Sequence, residues 1–135
     1  MSQYLLDTNV VSDFFRQHPE VLHQFGQHNP ADLCISTVTI MEIEYGMERQ
    51  PSARKRFGEV WEGLNADLTV LPFERGDATH TAQIRAALAT AGTPIGPFDL
   101  QLAGTARARD LTLVTHNTAE FNRVLGLNIL DWRTD

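Results

Sequence analysis

Cysteine is almost missing from this chain. Cys34 stands alone, so no disulfide and no cysteine-based metal site can form within one chain. It lies in the apolar run Leu33-Cys34-Ile35 and reads as a small buried residue. Lysine is equally scarce: of 11 basic residues only Lys55 is a lysine, and against 17 acids they leave a formal net charge of −6. That sign excludes coating of nucleic acid by electrostatics alone, a mode that needs a basic surface. Any such contact has to use a local patch. Arginine's planar fork suits phosphate, which makes Arg107, Arg109 and the Arg54 to Arg56 cluster candidates, with ordinary solvated charge as the alternative. A basic leader is missing too. The N-terminus, MSQYLLDTNVVSDFF, has its apolar residues interrupted by Asp7, Asn9 and Asp13, unlike a signal peptide or membrane anchor. A cytoplasmic location is the expectation. There is no repeat, low-complexity tract or linker.

What is present is an ordinary globular composition, 42% hydrophobic and 21% charged over 135 residues. This is enough for a single domain spanning 1–135 that buries roughly two-thirds of its unfolded surface. Short apolar runs alternate with helix-like segments. Tyr4 to Leu6 precedes Asn9 to Gln17, Leu33 to Ile35 precedes Thr39 to Met47, and Val70-Leu71 precedes Asp77 to Ala91. A helix from Phe98 to Ala108 then leads to the run Leu111 to Val114, a short helix from Ala119 to Val124, and Asn128 to Leu130. Such alternation predicts a three-layer α/β/α domain with a central parallel sheet. Pro19, Asn29-Pro30, Gly46, Pro51, Gly63, Gly92 and the Pro94 to Pro97 stretch are read as breaks between elements. Ala53 to Glu62 reads as an amphipathic helix with Phe57, Val60, Trp61 and Leu64 on one side, facing the core or a partner.

Acids recur where such a fold binds ligands. Asp7 follows Leu5-Leu6, at the end of the first strand, where open α/β sheets hold their ligands; capping of the next helix is the plainer role. Glu42 and Glu44 sit on one helix, about 200° apart, so only one can point into a site, and position alone does not choose. Asp99 follows Gly96-Pro97-Phe98 in the first turn of a helix, where the dipole favours negative charge. Ala103 and Gly104 along that helix suit close packing. In LVTHNTAEF the fourth expected strand feeds Thr115, His116 and Asn117, with Glu120 a turn later. His116 is a loop residue or a proton shuttle, and the Asn117 carbonyl oxygen is a possible ligand. His18, His23 and His28, five residues apart, do not share a helical face and are not read as a metal site.

Carboxylates that converge repel one another and normally bind a cation. All-oxygen ligation suits Mg²⁺ or Mn²⁺, completed by waters and substrate phosphate, and such a metal promotes phosphodiester hydrolysis.

At these residues the sequence resembles a PIN domain, and more narrowly the VapC-type toxins of bacterial toxin–antitoxin pairs. The matching pieces are LLDTNV at Leu5 to Val10, the Glu42-x-x-x-Gly46 spacing in MEIEYG, GTPIGPFDLQLAGTA ending at Ala106, and VTHNTAEF ending at Phe121. The resemblance implies that Asp7, Glu42 and Asp99 are the family's acidic set, so it prefers Glu42 to Glu44. Many members carry a fourth acid where this chain has Asn117; Glu120 matches the acid of the subgroup whose motif reads THN followed by EF. The implied properties are Mg²⁺-dependent endoribonuclease activity, inhibition by a small cognate antitoxin, and a homodimer. The subgroup likeness, including GPFD and Asp131-Trp132, implies initiator tRNA as substrate, cut in its anticodon region.

The resulting expectation has Asp7 and Asp99 holding the metal, Glu42 orienting the attacking water or a second metal, and Glu120 completing the site. Water attack leaves a 5′-phosphate and a 3′-hydroxyl. A receiver domain needs an acidic pair and a late lysine, which are missing. A haloacid-dehalogenase-like phosphatase needs an Asp where Asn9 stands. Two alternatives stay open: a PIN-like RNA-binding or scaffold module with a degraded site, and a metal-dependent DNA nuclease.

Overall fold

Five short strands form one sheet: β1 Tyr4–Leu6, β2 Leu33–Ser36, β3 Thr69–Leu71, β4 Thr112–Val114 and β5 Asn128–Leu130. In the computed structural model, which describes residues 3–134, their order is β3-β2-β1-β4-β5. Every pairing is parallel, and central β1 sets Leu5 beside Cys34 on one side and Leu113 on the other. Parallel neighbours need long crossovers. These are provided by α1 Thr8–Phe15, α2 Pro19–Gln27, α3 Thr37–Arg49, α4 Pro51–Asp67, α5 Arg75–Ala91, α6 Pro97–Ala108 and α7 Thr118–Phe121.

Alternation along each strand sends side chains to opposite faces, and two cores result. Leu5, Cys34 and Leu113 pack with Ile84 and Leu88 of α5 and with Leu102, Ala103 and Ala106 of α6. Leu6, Ile35 and Val114 pack on the other face with Val10, Ile43, Met47, Trp61 and Trp132. The expected three-layer α/β/α arrangement with a parallel sheet is observed.

The chain runs outward from β1 through β2 to β3, then returns to start β4 on the other side of β1. That reversal opens a crevice at the carboxyl ends of β1 and β4. One close approach fixes the helix that faces it. A Cβ on Gly104 would lie 2.8 Å from the backbone nitrogen of Thr81 and 2.9 Å from the backbone oxygen of Asp77, so only glycine lets α6 lie this near α5. Gly92 ends α5 with φ of 74°, a conformation that favours glycine.

Several local readings need correction. Gly46 and Gly63 are not breaks; they lie inside α3 and α4, where an added Cβ would meet nothing within 4 Å. Pro19 does not separate elements but begins α2 at its first position, where its missing N–H costs nothing. In α4, Trp61 and Leu64 are buried and Phe57 is packed against them, but Val60 is exposed. Among the described residues no helix is long and apolar enough to cross a membrane.

Candidate active site

Asp7 leaves β1 and is the N-cap of α1, its Oδ1 accepting from the backbone N–H of Thr8 at 2.7 Å. Capping therefore occupies one oxygen. The other, Oδ2, accepts from the Thr115 hydroxyl at 2.9 Å and from Asn9 Nδ2 at 3.1 Å. The carboxylate is 5% exposed, and its pKa is raised: burial dominates over the opposing donors Thr115 and Thr8, and the charge of Glu42 adds to the rise. Asn9 Oδ1 is buried without a hydrogen-bond partner among the described residues. An orphaned acceptor beside a buried carboxylate is a strong desolvation penalty.

Ser36 caps α3 by accepting from the Val38 N–H, which aims the helix from the end of β2 toward α1. Glu42 is thereby turned to Thr8, whose hydroxyl donates to Glu42 Oε1 at 2.7 Å and lies 3.3 Å from Thr39 Oγ1. Glu44 points elsewhere, is exposed, and accepts from Trp61 Nε1. The choice that spacing left open is made by the direction of α3.

Asp99 is in the first turn of α6, behind Pro97. No side-chain hydrogen bond caps that helix, so capping does not account for this acid. Burial, followed by the charges of Asp7, Glu120 and Glu42, pushes its carboxyl up to about 6. Asp7, Glu120 and Glu42 therefore all act on Asp99, and Glu42 also acts on Asp7, although the four come from the end of β1, α3, α6 and α7. Glu120 is half-buried in α7. Among the described residues no three His, Cys, Asp or Glu side chains close into a ready-made metal cage. Mg²⁺ does not require one, because it keeps several waters and uses one or two carboxylates.

The loop after β4 completes the surroundings. Thr115 Oγ1 accepts from the Asn117 N–H at 2.9 Å while donating to Asp7, so it links the two strand ends. His116 turns Nδ1 toward Asp13 Oδ2 at 3.6 Å. Asp13 is buried on α1 and held by Arg133 through two bonds of 2.8 and 2.6 Å. Burial alone would raise its pKa, but those bonds and the arginine's charge prevail and hold it low. Sequence reasoning missed this pair and the parts played by Thr39 and Thr115. The only sequence signal is that Thr8, Asn9 and Thr115 adjoin predicted strand ends.

The arginines singled out from the sequence are mostly occupied. Arg107 donates to His80, Gln83 and the Leu125 carbonyl. Arg109 grips buried Asp77, with bonds of 3.1 and 2.9 Å, and also reaches Pro72 and Glu74. Arg54 pairs with Glu48, and Arg56 lies over the Phe57 ring. Arg107 and Arg109 hold α6 to α5 and its approach rather than presenting free charge for phosphate.

Comparison with known proteins agrees with this geometry. The PIN domain family matches residues 4–127. Over 132 residues the chain is 42% identical to the tRNA(fMet)-specific endonuclease VapC of Shigella flexneri, covering 98% of this chain and 99% of that one. It is 35% identical to ribonuclease VapC2 of Haemophilus influenzae, with the same coverage. The crystal structure of DNA-bound VapBC from Salmonella typhimurium contains a chain with a TM-score of 0.89 and 40% identity, covering 98% of this chain and 99% of that one. With its parallel sheet, its acids gathered around Asp99 and this full-length likeness, the chain belongs to the PIN-domain family and, within it, to the VapC ribonucleases.

Proposed function

We propose that this chain is a metal-dependent endoribonuclease toxin that hydrolyses initiator tRNA in its anticodon region and is neutralised by a cognate antitoxin. The observation that carries the chemistry is the convergence of Asp7, Glu42 and Glu120 on Asp99. Asp99 is pushed up to about 6 by burial and by Asp7, Glu120 and Glu42, a cost without return unless a cation or substrate offsets it. The substrate and the antitoxin follow from full-length likeness to a tRNA(fMet)-specific endonuclease and to the chain in a VapBC complex. A cytoplasmic location and a homodimer belong to the same proposal.

The donors fit a hard cation. Asp7 and Asp99 offer carboxylate oxygens, and the unpartnered Asn9 Oδ1 supplies an acceptor for a coordinated water. Asp7 and Asp99 would hold Mg²⁺, or Mn²⁺ in its place. When bound, the metal activates water and offsets charge on the phosphate. Thr115, Asn9 and the Thr8 N–H keep the Asp7 carboxylate in one orientation. Glu42, fixed at Oε1 by Thr8, retains Oε2 to orient the attacking water. Glu120 adds negative charge beside Asp99 and completes the site through water. Attack by water, which gives up a proton, breaks the bond to the 3′-oxygen; that oxygen takes a proton and leaves as a hydroxyl, and the phosphate stays on the 5′-oxygen of the downstream fragment.

The test uses antitoxin-free protein with initiator tRNA, elongator methionine tRNA and single-stranded DNA, each in Mg²⁺ or EDTA. Initiator tRNA should be cut in Mg²⁺ alone, giving 5′-phosphate ends, and the antitoxin should stop the cut. Cleavage of the DNA with both RNAs intact would overturn the ribonuclease reading.

A further inference from the structure

Water is the attacking group in the proposed cleavage, so the ribose 2′-hydroxyl takes no part in it, and the acids alone do not tell RNA from DNA. A contact to that hydroxyl has to come from elsewhere, and the loop after β4 holds a side chain suited to it. His116 follows Thr115, whose hydroxyl binds Asp7. Burial raises the pKa of Asp7, and the charge of His116 is among the influences that oppose the rise, so the imidazole lies within electrostatic reach of a proposed metal ligand. The ring is fixed from one side. Its Nδ1 is buried without a hydrogen-bond partner and lies 3.6 Å from Asp13 Oδ2. Asp13 is 4% exposed and is held as a carboxylate by Arg133, whose Nε donates to Oδ2 and Nη2 to Oδ1. A carboxylate only accepts. A lone pair on Nδ1 would be set against that negative charge, whereas a proton there faces an acceptor. Arg133 already balances the charge of Asp13, so this one ring proton satisfies the contact and Nε2 keeps its lone pair. The side chain is 33% exposed, and Nδ1 is the only one of its nitrogens buried without a partner, so the open edge of the ring carries Nε2.

We propose that His116 is a specificity-determining residue, its Nε2 accepting from the 2′-hydroxyl of a nucleotide that flanks the cut, while Asp13 and Arg133 hold the ring in that orientation. This rests on the ribonuclease reading and names how the same site distinguishes RNA from DNA. A nitrogen lone pair at the rim of an acidic site selects its ligand. Phosphate oxygens offer only acceptors and cannot meet it, whereas a ribose hydroxyl donates and is present at every RNA residue. Thr115 and His116 are consecutive, so the loop that steadies Asp7 through one side chain reaches the ribose through the next. The recognised sugar is thereby tied to the phosphate that is cut.

The test places single 2′-deoxy substitutions one by one around the cut in an RNA loop and follows cleavage in Mg²⁺ and binding in EDTA. Antitoxin-free wild type is compared with His116→Phe, His116→Gln and, as an exposed control, Leu125→Ala. Because water attacks, the deoxy substrates can still be cut, and the scan reads recognition alone. At one flanking position the substitution should raise the wild-type KM and weaken binding roughly two- to tenfold, with kcat little changed. His116→Phe keeps a ring without an acceptor; it should show that loss on all-ribose RNA and no further loss at the sensitive position. His116→Gln, which retains a donor for Asp13 and an acceptor for the hydroxyl, should recover part of the effect, and Leu125→Ala should behave as wild type. Ring ¹⁵N spectra in mildly alkaline buffer should show His116 protonated at Nδ1, a preference that Asp13→Ala should lose. A wild-type scan with no sensitive position, equal sensitivity in His116→Phe, or a proton on Nε2 in wild type would overturn the proposal and leave the ribonuclease reading intact. Sensitivity to base identity in place of the 2′-hydroxyl would overturn it in favour of a base-edge contact. Wild type that cuts no RNA would remove both readings at once.

Discussion

The hydroxyl of Thr115 donates to Asp7 Oδ2 at 2.9 Å across 108 residues of sequence, and this bond joins the carboxyl ends of β1 and β4 at the centre of the site. Thr115 is fully buried, so nothing in solvent can replace it. Thr115→Val keeps the shape and removes the donor. The variant should lose about 1.5–3 kcal/mol of stability, as for a hydrogen bond to a charged group. It should also lose roughly 10- to 100-fold in cleavage, as for residues that orient a metal's ligands. Thr115→Ser should recover most of both. Urea unfolding and kcat/KM check the pair, and a fully active valine variant would show that Asp7 needs no help from β4.

Asp99 gives a dependence on pH whose sign can be stated. Its carboxyl sits at about 6 in the fold against an ordinary 3.8, so the folded chain holds this proton more tightly than the unfolded one. The stability this confers is fully present below 3.8 and is lost as pH rises through about 6. Asp99→Asn fixes a neutral group there. In EDTA it should melt at a higher temperature than wild type above that pKa, with a flatter profile below it. Mg²⁺ should then stabilise wild type more than the variant. Thermal unfolding across this range, with Mg²⁺ or EDTA, measures both effects. Equal stabilisation of the two by Mg²⁺ would remove Asp99 from the proposed metal site.

Gly104 and Gly63 should respond oppositely to alanine. At Gly104 the new methyl meets Thr81 and the backbone of α5, and neither helix can retreat without opening the core behind Ala103. Gly104→Ala should cost about 1–3 kcal/mol and shift Asp99 with the start of α6. Gly63 has nothing within 4 Å, so Gly63→Ala should gain up to about 1 kcal/mol from helix propensity. Urea midpoints of the two variants test the contrast.

The strands were legible because each is a short apolar run with turn residues nearby, and Asp7 and Asp99 were legible because both stand at element boundaries. Glycine and proline misled where context decides their meaning. Gly46 and Gly63 tolerate helix because their faces are open, and Pro19 starts α2 because Val21 and Phe25 behind it have a core to meet. Glu42 could not be separated from Glu44 by spacing; the difference is Thr8, 34 residues earlier. The same limit applies to Arg107 and Arg109, whose partners His80 and Asp77 lie 27 and 32 residues away. A side chain's availability depends on such long-range partners, which periodicity does not encode.

The most direct measurement is cleavage of initiator tRNA in Mg²⁺ by purified wild type beside Asp7→Asn, Glu42→Gln, Asp99→Asn, Glu120→Gln and Glu44→Gln. Asp7→Asn and Asp99→Asn should lose at least about a hundredfold in rate. Glu42→Gln should also fall sharply, Glu120→Gln less so, and Glu44→Gln should keep wild-type activity. Equal rates in all six samples, or loss with Glu44→Gln but not Glu42→Gln, would contradict a catalytic site built on Asp7, Glu42 and Asp99.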